Sequence, residues 1–186
     1  MRLVRYGEPG AEKPGLIDNE NRLRDLSDEI ADIGGEVLSR AGLARLAAID
    51  VKSLPKADPS HRLGPPVAGT RTFVAVGRNY AEHAAETGSD VPEEPLLFTK
   101  AASSIAGPRD ALVIPRGATK VDWEVEVAVV IGERCFQVSK SEAMDYVAGF
   151  CLCHDVSERV WQKERGGQWI KGKSAPGFGP LGPWLV

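Results

Sequence analysis

Glu124 and Glu126 stand two residues apart in the strand-like run VDWEVEVAVVIG, residues 121–132. Side chains of an extended strand alternate between faces, so the two carboxylates point the same way, roughly 6.5–7 Å apart along the backbone. Val121, Trp123, Val125, Val127, Val129 and Ile131 take the opposite face. Beyond Glu126 the run is apolar on both faces through Ile131, as in a buried strand, which sets the carboxylates at the edge of a core. Two like charges there need neutralising, and a hard divalent cation with oxygen ligands would do it. For the pair alone, a half-exposed strand with its glutamates in water is the competing reading.

A third carboxylate follows. A short helical segment at 141–146 leads to a second apolar run, Val147 to Cys153, and then to His154-Asp155-Val156-Ser157-Glu158-Arg159. Asp155 sits where a strand ends and a helix is predicted to begin, so it converges on the glutamates if the two strands are neighbours. Three carboxylates plus waters suit Mg²⁺ or Mn²⁺. Asp155-x-x-Glu158 also fits a capping-box-like pattern, which would make Asp155 an N-cap instead.

The elements that must position these groups read as follows. Strands are predicted at Arg2 to Tyr6 and Gly15 to Asp18, with a turn between Ile17 and Leu23. Helical spacing covers Gly42 to Asp50, where Leu43, Leu46 and Ala47 share a face. Pro55, Pro59, Pro65 and Pro66 mark Leu54 to Pro66 as a linker. Residues 1–66 are therefore expected to form a small N-terminal domain with its linker, and 67–186 a larger second domain. Further strands are predicted at Phe73 to Val76, Leu96 to Thr99, Leu112 to Ile114, Val121 to Ile131 and Val147 to Cys153. Gly77-Arg78-Asn79 supplies one glycine where a dinucleotide-binding turn would want several. Pattern alone thus reaches a mixed α/β or α+β domain.

Composition narrows the partners. With 23 basic and 26 acidic side chains in 186 residues the net charge is −3, which offers no basic footprint for nucleic acid. MRLVRYGEPG lacks the apolar stretch of a signal peptide, and no run reaches membrane-spanning length, so a cytoplasmic protein is expected. Three cysteines are too few for a disulfide framework, and Cys151-x-Cys153-His154 lacks zinc-motif spacing. Core positions are expected for them.

DWEVEVAVVIG, followed by YVAGFCLCHDVSERVWQ and GKSAPGFGPLGPWLV, resembles the core signature of the fumarylacetoacetate hydrolase family. FVAVGRNYAEHAAETG and PLLFTKAASSIAGP resemble that family's entry segments, in the expected order. MRLVRYGEPGAEKPGLID and LRDLS resemble the small leading domain of bacterial members. The subgroup resembled is the one often labelled ureidoglycolate lyase, which includes hydrolases of 2,4-diketo-3-deoxy sugar acids.

The resemblance implies an α+β, mainly β fold, a mixed β-sandwich roll with a small N-terminal domain, assembled as a homodimer. It implies Glu124, Glu126 and Asp155 as ligands of Mg²⁺ or Mn²⁺, His83 and Glu86 as a water-activating dyad, and Lys173 as a positive group facing the substrate. The dyad has local support: Asn79 can cap a helix, Gly88 can stop it, and His83 and Glu86 are three apart on one face. Such a glutamate would fix the imidazole tautomer and raise its basicity; a surface His beside a surface Glu is the plainer alternative. Arg78 and Gln162 are candidate substrate contacts, and Arg159 a partner for a carboxylate. The activity implied is metal-assisted cleavage of a carbon–carbon bond in a short 2,4-diketo acid, releasing pyruvate. Its partner would be a small keto acid, with no nucleic acid and no membrane. The same chemistry serves decarboxylases, hydratases and isomerases of the family, and a non-catalytic metal- or ligand-binding relative is the reading from another class.

Three departures stand out. His154 replaces the usual Asn before Asp155, and Pro176-Gly177 replaces an Asp-Thr pair. Family members also continue past Val186 with closing strands and a Gly-Thr-Pro turn, so the catalytic domain is expected here without its C-terminal part.

Overall fold

The computed structural model describes residues 1–80 and 92–186, and in them the chain is mostly β with few helices. β1 (Arg2–Tyr6), β2 (Lys13–Ile17) and β3 (Leu23–Asp25) form an antiparallel sheet with Val4 opposite Gly15 and Leu16 opposite Arg24. The turn between β2 and β3 is built on Asp18, whose Oδ1 accepts the backbone N–H of Glu20 and of Arg22, each at 2.9 Å. Helix α1 (Arg40–Ala47) starts at Ser39, whose hydroxyl accepts the N–H of Gly42 at 3.0 Å and turns Leu46 into the core.

The proline-rich stretch predicted as a linker has no regular structure of its own but is laid along the first sheet. Ala57 N–H donates to Leu23 O at 3.0 Å, and Gly64 N–H to Arg5 O at 2.8 Å. Proline fixes an extended backbone there without supplying a ladder donor, so single bonds at the non-proline positions do the docking.

β4 (Phe73–Gly77) pairs antiparallel with β5 (Leu96–Lys100). The largest sheet joins β6 (Ile105–Ala106), β11 (Gly179–Gly182), β9 (Val147–His154) and β8 (Val125–Ile131) in that spatial order. β6 runs parallel to β11, and the other neighbours are antiparallel. A two-stranded piece, β7 (Val121–Asp122) with β10 (Ser157–Glu158), completes the set.

Three predictions need correcting. Leu112 to Ile114 is not a strand: Val113 and Ile114 are exposed and Pro115 follows them. The run 121–131 is not one strand, because the chain leaves β7 at Trp123-Glu124 and re-enters an extended ladder as β8. The interruption is matched across the sheet, where β9 ends at His154 and β10 starts at Ser157; Asp155 N–H donates to Glu124 O at 2.9 Å between them. The apolar strand is also covered on one face only. Trp123, at 74% exposure, shares an open face with Val125, Val127, Val129 and Ile131, and Phe150 and Leu152 extend that face on β9.

The main core gathers Leu3, Leu16, Leu26, Ile33, Leu38, Leu46, Leu54 and Leu185, with Val130 and Ala148 packed against it. The N-terminal sheet therefore shares its core with β8, β9 and the last residues, and Leu3 and Leu185 exchange backbone bonds at 2.9 and 2.8 Å. A smaller cluster of Cys151, Cys153 and Leu181 lies behind the functional groups. Among the described residues no helix is long and apolar enough to cross a membrane.

Candidate active site

The break at Trp123-Glu124 and the break at His154-Asp155-Val156 lie side by side, and this brings Glu124 to Asp155. Asp155 is not a helix N-cap, as its capping-box pattern suggested, since extended residues of β10 follow it. Its two oxygens go to lysines instead: Oδ1 accepts from Lys100 Nζ at 2.6 Å and Oδ2 from Lys173 Nζ at 2.7 Å. Lys173 also donates to Glu124 Oε2 at 2.7 Å, so one ammonium bridges the two carboxylates. The other oxygen of Glu124 meets Arg159 Nη1 at 2.6 Å.

Each cation is placed by local structure. Lys100 ends β5 with its side chain fully enclosed and a second bond, 3.3 Å, to Val156 O. Lys173 ends the short helix Ile170–Lys173 and is 2% exposed. That helix can come close only because residue 172 is glycine: a Cβ there would lie 2.5 Å from Glu158 O and 2.6 Å from Gln162 N. Arg159 grips Asp122 Oδ2 through Nε at 2.8 Å and Nη2 at 2.7 Å, and donates to Gln162 Oε1 at 3.0 Å.

Glu126 follows on β8, and Tyr80 hydrogen-bonds to it. Burial pushes its carboxyl above the usual range, and the negative charges of Glu124 and Asp155 push it further. Asp155 moves the other way: burial alone would raise it, but Lys100 and Lys173 hold it below the ordinary carboxylate range. Burial lowers Lys100, opposed by Asp155. Asp122, Glu124, Glu126 and Asp155 set four negative charges against the three positive ones of Lys100, Arg159 and Lys173, which leaves one in excess.

The structure thus joins Glu124, Glu126, Asp155 and Lys173 in one cluster, with Gln162 buried at its margin through Arg159. Arg78 follows β4 as an exposed residue in the left-handed region, φ 54°. His83 and Glu86 lie outside the described residues. Among the described residues no three His, Cys, Asp or Glu side chains stand as a preassembled metal cage, since ammonium and guanidinium groups hold Glu124 and Asp155. The donor set still fits a hard divalent ion: all its atoms are carboxylate oxygens, and a cation already stands between two of them.

Lys100, Tyr80 and Asp122 went unread as site residues. The signal for Lys100 is alternation in Leu96–Lys100, which puts it on one face of β5 with Phe98, whose ring centroid is 5.1 Å from Lys173 Nζ. The cysteines divide. Cys151 and Cys153 are core residues whose thiols burial pushes up to about 11 and about 12. Cys135, against expectation, is exposed in the loop after β8.

The chain is thus β-rich, with carboxylates and lysines gathered at paired strand breaks. Residues 72–186 match the model of the fumarylacetoacetate (FAA) hydrolase C-terminal domain. The chain belongs to the fumarylacetoacetate hydrolase family. A Burkholderia cenocepacia protein that carries a provisional hydrolase name is 56% identical over 186 residues, all of this chain and 66% of that protein. The chain therefore spans 66% of the length of the Burkholderia relatives it matches. Among solved structures, the fumarylacetoacetate hydrolase of Exiguobacterium antarcticum is 32% identical with a TM-score of 0.82, covering 100% of this chain and 66% of the other. The 5-carboxymethyl-2-hydroxymuconate delta-isomerase of Mycobacterium smegmatis is 29% identical with a TM-score of 0.74, at the same coverages.

Proposed function

We propose that the chain carries the metal- and substrate-binding half of a divalent-metal-dependent hydrolase that cleaves a carbon–carbon bond in a short 2,4-diketo acid to release pyruvate. The observation that carries this reading is the sharing of Lys173 by Glu124 and Asp155. Members of this family commonly use a divalent metal. Glu124, Glu126 and Asp155 would hold Mg²⁺ or Mn²⁺, which when bound supplies Lewis-acid polarisation of substrate oxygens.

The rest is work for the chain's own side chains. His83, oriented by Glu86, takes the proton of the attacking water. Lys173 presents a positive charge to the enolate that leaves, opposite in sign to the charge that develops in the transition state. Arg159 holds the carboxamide oxygen of Gln162 and so turns its amide nitrogen the other way, as a donor to substrate oxygen. A second reading, isomerisation of an unsaturated keto acid, draws on solved neighbours named as isomerases at 29–31% identity.

Incubation of Mn²⁺-loaded protein with acylpyruvates, oxaloacetate and a 2,4-diketo-3-deoxy sugar acid, following pyruvate, separates the readings. Pyruvate from a diketo acid, abolished by Glu126→Ala, is the expected result. Conversion of an unsaturated 2-keto acid without pyruvate release would favour the isomerase, and release from oxaloacetate alone would make the protein a decarboxylase.

A further inference from the structure

Three cations serve the carboxylates, and their positions differ. Lys100 holds Asp155 Oδ1 and Arg159 holds Glu124 Oε1, so each keeps one oxygen of one carboxylate. Both are tied a second time, Lys100 to Val156 O and Arg159 to Asp122 and Gln162. Lys173 holds the remaining oxygen of both carboxylates, Glu124 Oε2 and Asp155 Oδ2, each at 2.7 Å. Withdrawal of this one ammonium therefore bares an oxygen on Glu124 and an oxygen on Asp155 together. Among the described residues no other side chain in the cluster touches both.

We infer that Lys173 is the exchangeable counter-ion of the metal site: it neutralises Glu124 and Asp155 until a divalent cation takes those oxygens, while Lys100 and Arg159 stay in place as positioning residues. This deepens the metal reading above and rests on it. Two largely buried carboxylates that share one ammonium repel each other more strongly once it is withdrawn, so a replacement cation is favoured there. An ammonium on a four-carbon stem fills that role and can leave by rotation of its own side chain. The Phe98 ring, 5.1 Å from Nζ, already faces the ammonium in its bridging position and stabilises the cation there. Divalent-ion binding and the freeing of Lys173 towards substrate then form one event, so the lysine becomes available only in a site that is loaded.

The test is divalent-ion affinity and lysine position, with no turnover needed. Calorimetric titration of Mn²⁺ into Lys173→Met should give binding ~10-fold or more tighter than in the unaltered chain, because the competing charge is gone. Lys171→Met, at an exposed lysine two residues away, should change affinity less than ~2-fold. Because Lys173→Met removes the ammonium shared by two carboxylates and can unfold the chain, the unaltered chain provides a second measurement. In its lysine side-chain NMR spectrum, saturating Mg²⁺ should shift the Lys173 Nζ signal and leave that of Lys100 in place. Unchanged or weaker Mn²⁺ binding by folded Lys173→Met, or a Lys173 signal indifferent to bound Mg²⁺, overturns the counter-ion assignment and leaves the metal site standing. Absence of binding in every form overturns both.

Discussion

Glu158 is fully buried, and no cation among the described residues holds its carboxylate. Three backbone donors do: Oε1 accepts from Thr119 N–H at 3.0 Å and Lys120 N–H at 2.8 Å, and Oε2 from Trp161 N–H at 2.6 Å. These bonds tie the approach to β7 and the turn after β10 together, on either side of Asp155 and Arg159. Glu158→Gln keeps the shape but replaces one acceptor oxygen with an NH₂ group that faces a donor. Hydrogen bonds to a charged group contribute about 1.5–3 kcal/mol, and a buried donor left unpaired costs about 1–3 kcal/mol. A net loss of about 3 kcal/mol follows, which for a chain of this size lowers the melting temperature by roughly 6–12 °C. The pH dependence gives a sharper test. Burial would raise the Glu158 carboxyl, but the three N–H donors hold it below the ordinary 4.5. A folded-state pKa depressed below the unfolded one makes this contribution fully present above about 4.5, and it is lost as pH falls through the lower folded value. Urea denaturation of both forms between pH 7 and pH 3 should show a gap that is constant to about pH 5 and then closes. A Glu158→Gln variant as stable as the parent at pH 7, or a gap that does not narrow in acid, would refute the reasoning.

Two further outcomes follow from packing. Gly149→Ala places a Cβ 2.2 Å from the carbonyl oxygen of Val186, which accepts from Phe150 N–H at 2.7 Å; the substitution should cost about 1–3 kcal/mol by chemical denaturation and weaken exchange protection at Phe150 and Val186. Cys135 is exposed while burial raises Cys151 and Cys153, so a thiol reagent at pH 8 should modify one cysteine per native chain quickly and the other two only on unfolding.

The carboxylates were legible because their signal is local. Glu124 and Glu126 keep strand alternation even though the backbone leaves the ladder at Trp123-Glu124, so the face assignment survives a wrong assumption of one continuous strand. The break itself was not legible. It depends on β7 and β8 choosing different partners, β10 and β9, and a partner distant in sequence leaves no mark on a period-2 pattern. The same limit explains Asp155-x-x-Glu158, whose spacing fits a capping box while its charges are spent elsewhere: Asp155 on Lys100 and Lys173, Glu158 on the N–H groups of residues 119, 120 and 161.

Lys100 shows why the cations were harder to find than the anions. A lysine that ends a short strand and follows a threonine reads as a solvated strand end, because burial of an ammonium is unfavourable unless an opposite charge meets it. That condition is met here by Asp155, 55 residues on, through contact between the β4–β5 pair and the end of β9. Lys173 was reached through resemblance and not through spacing, for the same reason. Local pattern can announce a charge that needs neutralising, as the two glutamates do, but the group that neutralises it is chosen by the tertiary fold. In this chain the choice fell on one lysine shared by two carboxylates, the arrangement from which both the metal reading and the exchange of Lys173 are argued.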